Sequence, residues 1–120
     1  MNEQRRQAAE PEDLSRLFLE RANAGDVEGL VELYEPGAVL AFPPGRLSVG
    51  REAIRAAYEE LLAGRPTFGA GDQHPAIRND TGELALTSTR LAGRNATAEV
   101  ARRQPDGSWL WIIDQPAVLG

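Results

Sequence analysis

The chain changes its periodicity near its middle. Up to Leu62 apolar residues recur at three- and four-residue spacing, whereas from Glu83 onward they alternate at two-residue spacing between closely set turn signals. Helices first and hairpins second constrain the fold to an α+β class, with three N-terminal helices covering one face of a curved, mostly antiparallel sheet. With 120 residues there is room for one core and no second domain.

The helical half is punctuated by residues with a physical reason to be there. Residues 1–10 are charged and aperiodic and read as a loose tail, leaving residues 11–120 as the domain. Pro11 suits a first helical position, and Glu12 and Asp13 place negative charge at the positive end of the helix. Leu14, Leu17, Phe18 and Ala22 form its stripe. Gly25 suits the left-handed residue that ends this helix, and Asp26 can cap the next by accepting a backbone N–H. Val27, Leu30, Val31 and Tyr34 form the second stripe, which Pro36-Gly37 stops. A short strand is expected over 38–42, interrupted by Pro43-Pro44-Gly45. A third helix is expected from Gly50 to Gly64 on Ile54, Ala57, Tyr58, Leu61 and Leu62. The glycine-rich stretch 67–74 is harder to place, and some of it, with residues 76–78, is expected to be strand. Turns at 79–82, 93–95 and 105–107 separate strands expected at 83–92, 96–104 and 108–115.

Composition removes whole classes of function. The absence of cysteine excludes disulfides, thiolate metal sites and a cysteine nucleophile. All 13 basic residues are arginine, which excludes a lysine Schiff base. A net charge of −5 without a concentrated basic face disfavours nucleic acid. No run approaches the roughly 20 apolar residues of a membrane helix, and the polar start lacks a signal-peptide core. The expectation is therefore a cytoplasmic protein with no membrane partner. No dinucleotide, phosphate-loop or metal-ligand spacing is present, so no cofactor and no metal are expected.

Three pieces of the sequence carry a resemblance. They are Ala24-Gly25-Asp26-Val27-Glu28-Gly29-Leu30 with Leu33-Tyr34-Glu35-Pro36-Gly37-Ala38-Val39, then Val49-Gly50-Arg51-Glu52-Ala53-Ile54 with Tyr58, then Asp106-Gly107-Ser108-Trp109 with Asp114-Gln115-Pro116. In order and spacing they resemble the nuclear transport factor two-like superfamily, near its SnoaL-like and ketosteroid isomerase-like branches. The resemblance implies a cone-shaped half-barrel enclosing an apolar cavity, a small apolar molecule as partner, and dimerisation through the sheet. Ketosteroid isomerases use an aspartate base with a tyrosine and a protonated aspartic acid as oxyanion hole. Aligned on the Gly-Asp turn, Phe42 falls at the base, Phe18 at the tyrosine, and Ala96 or Thr97 near the acid. That mechanism is not carried over. The Asp-Arg-Asp arrangement of the epoxide hydrolase relatives is not visible either.

Candidate chemistry then rests on few residues. Strand alternation puts Leu110, Ile112 and Asp114 on one face and Trp109, Trp111 and Ile113 on the other, and the resemblance turns the first set toward the cavity. Among apolar walls the Asp114 carboxyl has its ionised form desolvated and its pKa raised toward acid–base use; the alternative is a structural Asp114 paired with an arginine or a backbone N–H. His74, the one histidine, lies in a glycine-rich loop where Asp72 could orient its ring, or is an ordinary surface residue. Tyr34, Tyr58, Phe18, Phe42 and Ile112 are the residues expected to meet a ligand, although both tyrosines also fit as core with hydroxyls reaching a partner. Trp109 and Trp111, placed on the outer face, are expected to form a homodimer interface, and Arg90, Arg94, Arg102 and Arg103 a solvated face laced to Glu99. Two functions stand: an acid–base enzyme of isomerase, cyclase or dehydratase type acting on an apolar carbonyl compound, or a non-catalytic binding or dimerisation module.

Overall fold

The computed structural model describes residues 5–119. Helix α1 spans Asp13–Asn23, α2 Val27–Val31 and α3 Gly50–Ala63. The strands are β1 (Tyr34–Leu40), β2 (Ser48–Val49), β3 (Asp72–Gln73), β4 (Ile77–Arg78), β5 (Leu84–Thr87), β6 (Thr89–Leu91), β7 (Asn95–Ala96), β8 (Ala98–Arg103) and β9 (Trp109–Gln115). They form a six-stranded sheet in the order β2-β1-β9-β8-β5-β4 and a three-stranded sheet in the order β3-β6-β7. All pairings are antiparallel except β1 with β9. The two long hairpin arms change sheets at Ser88 and Thr97, where the expected single strands break into β5 and β6 and into β7 and β8. No helix among the described residues is long and apolar enough to cross a membrane.

The turn between the first two helices forms as its residues dictate. Gly25 has φ +70°, and Asp26 accepts from Gly29 N at 3.0 Å. A side chain at position 29 would start only 2.2 Å from Asp26 Oδ2, so glycine keeps that cap intact. The second helix is shorter than its stripe suggests. It ends at Val31, and Tyr34 starts β1 instead of closing α2, because its backbone pairs with Trp111 of β9. Arg51 of α3 fixes this change of direction by donating to the Tyr34 carbonyl through Nε at 2.9 Å and Nη2 at 2.6 Å.

The described part of the expected tail is anchored. Ala8 is buried, bridges to Trp109 and accepts from its N–H at 3.0 Å, while Arg5 pairs with Asp26 and Glu32. Residues 1–4 of that tail lie outside the described residues. The core gathers Leu14, Leu17, Leu30, Tyr34, Leu40, Ile54 and Tyr58 with Ala101 and both tryptophans of β9.

The closing strand corrects the face assignment. Trp111 stands opposite Ala101, but Ile113 stands opposite Val100, so Ile112 is one residue extra in the β8–β9 ladder. Such a bulge reverses the inside–outside parity beyond it. Trp109, Trp111 and Asp114 consequently share the buried face, Ile113 points outward, and Ile112 is half-buried at the irregularity. The tryptophans are core residues, not an exposed patch; Arg78 lies over the Trp109 ring at 5.5 Å.

Candidate functional site

Between the helices and the two sheets lies a cavity of about 880 Å³. Its walls are apolar: Phe18 and Leu19 come from α1, Leu40 from β1, Tyr58 and Leu61 from α3, Trp111 from β9, with Phe42, Phe68 and Leu91 from the connections and the small sheet. Aromatic rings pack around it, Phe18 meeting Phe68 edge to face and Tyr58 and Trp111 at a tilt, at centroid separations of 5.8, 6.1 and 6.3 Å. Ser15, Arg16, Arg46, Gln73 and Gln115 also line it, and strand register groups Asp114, Glu99, Thr97 and Thr89 into one polar patch.

That patch is built by strand register. One inward row crosses five strands, Ser48–Leu40–Asp114–Glu99–Thr87, and every member is buried. Asp114 is 4% exposed and Glu99 7%, directly opposite each other. Facing residues of neighbouring strands hold their Cβ atoms about 4.5–5.5 Å apart, so the two carboxyl groups share one small volume. The Tyr34 hydroxyl donates to Asp114 Oδ2 at 2.5 Å, and the Tyr34 and Tyr58 hydroxyl oxygens are 2.6 Å apart. Since the single Tyr34 hydrogen is used on Asp114, Tyr58 donates to Tyr34 and the three form a directed chain. Glu99 Oε1 accepts from the Thr87 hydroxyl at 2.6 Å.

Burial first, then the neighbouring Glu99 charge, push the Asp114 carboxyl up to about 7 against the opposing pull of the Tyr34 hydrogen bond. Burial likewise raises Glu99, with the Thr87 and Thr97 hydroxyls holding its charged form. Burial and then the Asp114 charge raise Tyr34 and Tyr58 well above 10, so both remain donors at neutral pH. A carboxyl that titrates near neutrality, hydrogen-bonded to a tyrosine that stays protonated, has both an acid and a base form available for proton transfer.

The structure brings together most of the residues expected from sequence. Asp114, Tyr58, Phe18 and Phe42 line the cavity, and Tyr34 sits fully buried behind Asp114. Ile112 does not line it, being displaced by the bulge. His74 is exposed and outside the cavity; its backbone N–H donates to Ser88 O, and Asp72 makes no bond to its ring. Glu99 was expected among surface arginines, yet it faces inward, and Arg102 pairs with Glu35 instead. Among the described residues Asp114 has no ion-pair partner, and its carboxyl is held by the Tyr34 hydroxyl instead. The residues missed from sequence are Glu99 and Trp111.

A family model for the SnoaL-like domain matches residues 15–114. The chain belongs to the SnoaL-like domain family. Its place in the nuclear transport factor two-like superfamily agrees with solved structures. A ketosteroid isomerase-like protein from Erwinia carotovora superposes with TM-score 0.68 at 18% identity, over 91% of this chain and 94% of that one. A protein from Thiobacillus denitrificans described as a calcium/calmodulin-dependent protein kinase type II association domain gives 0.73 at 16%, over 93% and 98%. A nuclear transport factor two-like protein with a cystatin-like fold from Novosphingobium aromaticivorans gives 0.60 at 23%, over 90% and 79%. At such identities these likenesses carry the fold alone. No curated protein matches the sequence of this SnoaL-like chain.

Proposed function

We propose that this SnoaL-like domain binds a small apolar molecule in its cavity and acts on it by acid–base catalysis, the substrate carrying a carbonyl group. The observation that carries this reading is Asp114, buried in a polar patch of a largely apolar cavity, held by Tyr34 through Oδ2 and lifted to about 7. In its ionised form it can take a proton from carbon next to a carbonyl. In its protonated form it can return that proton to another carbon in an isomerisation, to the carbonyl oxygen attacked by the carbanion in a cyclisation, or to a hydroxyl that leaves as water in a dehydration. The apolar walls exclude water and strengthen each polar contact inside. Phe18 and Phe42, standing where ketosteroid isomerases keep catalytic groups, favour the second reading of a binding module without catalysis.

Deuterium exchange separates the two. With 1-tetralone in deuterated buffer at pH 7, the wild-type protein should accelerate loss of the C2 protons, followed by proton NMR, and Asp114→Asn should not. Saturable binding of the ketone with no acceleration over buffer would leave the non-catalytic reading in place.

The homodimer reading rests on the sheet's outer face rather than on the tryptophans. An apolar row, Val49–Val39–Ile113–Val100–Leu86–Ile77, crosses all six strands one position from the buried polar row. Ile77, Val49, Ile113 and Leu86 are 67, 62, 52 and 44% exposed. A continuous exposed apolar row of this kind is what a second copy of the same face would cover.

A further inference from the structure

The cavity's polar patch has a property that proton transfer does not require. It holds two carboxyl groups side by side, and no cation of the described residues reaches either. Hydroxyls serve them instead: Tyr34 donates to Asp114 Oδ2 and Thr87 to Glu99 Oε1. Arg16 and Arg46 line the cavity only at its exposed rim, Arg16 already paired with Asp13, and Arg51 is committed to the Tyr34 carbonyl. No donor reaches Asp114 Oδ1, and that oxygen is not among the sealed, unpartnered atoms, so it is open to the cavity.

We infer that the Asp114–Glu99 patch is a binding site for the protonated amine of an apolar small molecule. An ammonium carries three N–H donors on a compact charge, enough to meet Oδ1 and the facing Glu99 carboxyl together, and it supplies the counter-charge that the protein withholds. The remaining walls suit a hydrocarbon body. A bare metal ion fits less well, because no group of three metal-ligating His, Cys, Asp or Glu side chains occurs among the described residues and the surrounding walls are apolar. Anionic ligands meet like charge. This property is separate from the catalytic reading: an amine would occupy the cavity without reacting and compete with a carbonyl compound.

Binding balances as a proton exchange. Where Asp114 is protonated, an entering ammonium displaces that proton to solvent, so affinity rises with pH through about 7 while the amine stays protonated. The groups facing the pair are Tyr34 from β1, Tyr58 from α3, Thr87 from β5 and Thr97 from the β7–β8 connection. Neither tyrosine titrates in that range, since burial raises both well above 10.

Two rigid cages of one shape test this, 1-aminoadamantane and 1-adamantanol, titrated calorimetrically into the full chain at pH 6 and pH 8. The amine is expected to bind at least tenfold more tightly than the alcohol at pH 8, with the preference narrowing at pH 6 and with proton release read from buffers of different ionisation enthalpy. Glu99→Gln, its folding checked by circular dichroism, should lose the preference while keeping affinity for the alcohol. Equal or tighter binding of the alcohol overturns the inference, as does an undiminished amine preference in Glu99→Gln or in Asp114→Asn. Failure here leaves the tetralone exchange unaffected, and failure of that exchange leaves amine binding standing.

Discussion

Asp114 and Glu99 face each other across β9 and β8, each more than nine-tenths buried. Asp114 is lifted from 3.8 to about 7, so the folded state holds its proton more tightly than the unfolded chain. Stability from this group is fully present below pH 3.8 and is lost as pH rises through about 7. The raised pKa corresponds to at most about 4 kcal/mol of stability. Asp114→Asn keeps the shape and an acceptor for Tyr34 without this dependence. Urea unfolding should therefore show the variant gaining on wild type from pH 5 to pH 8; parallel pH profiles would place the Asp114 titration elsewhere.

Tyr34 anchors both ends of the hydroxyl chain. Tyr34→Phe removes the donor to Asp114 and the acceptor for Tyr58, and a hydrogen bond to a charged group is worth about 1.5–3 kcal/mol. Since Tyr34 holds the Asp114 pKa down, its loss should move that titration further up, and selective carboxyl carbon-13 NMR reads the shift directly. An unmoved Asp114 resonance would show that Tyr34 does not act on it.

The helices, the Gly25-Asp26 turn and the hairpin order were legible because local spacing and local backbone chemistry set them. The site was legible in part. From Arg103 opposite Trp109, counting along an unbroken ladder puts Ala98 opposite Asp114; the extra residue Ile112 moves Glu99 there instead. The same residue brings Trp111 and Asp114 to one face. Nothing local marks this bulge: β9 is paired in parallel with β1 and antiparallel with β8, and both registers shift across Ile112. Tyr34 was read as helical for a similar reason, since its stripe position is overridden by pairing with Trp111, distant in sequence. Ala8 gave no periodic signal because a single bridge to Trp109 holds it.

The two faces of β9 call for opposite outcomes. Ile113→Glu places charge in the exposed apolar row and should convert a wild-type dimer to monomer with little loss of fold, as read by sedimentation velocity at micromolar concentration. Trp111→Ala removes a core ring, so about 3–5 kcal/mol of stability should go. A wild-type chain that sediments as a monomer sinks the dimer while leaving the Trp111 assignment testable by unfolding alone.

Phe42→Asp puts a carboxylate where ketosteroid isomerases keep their base, and tests whether that position alone decides the chemistry. Phe42 is half-buried on the same cavity that Asp114 and Glu99 line, so the new acid enters a cavity already bearing two buried carboxyl groups, its arginines Arg16 and Arg46 lying at the exposed rim. Its ionised form should be desolvated and repelled, costing several kcal/mol or forcing protonation. Phe18, which contacts Tyr58 at the tyrosine position, offers no hydroxyl to an oxyanion, and Tyr58 already spends its hydrogen on Tyr34. A lowered melting temperature and no conversion of 5-androstenedione by absorbance are expected. Steroid isomerisation well above the wild-type background would mean that the tyrosine chain can turn its donor to an oxyanion, contrary to the direction assigned to it here.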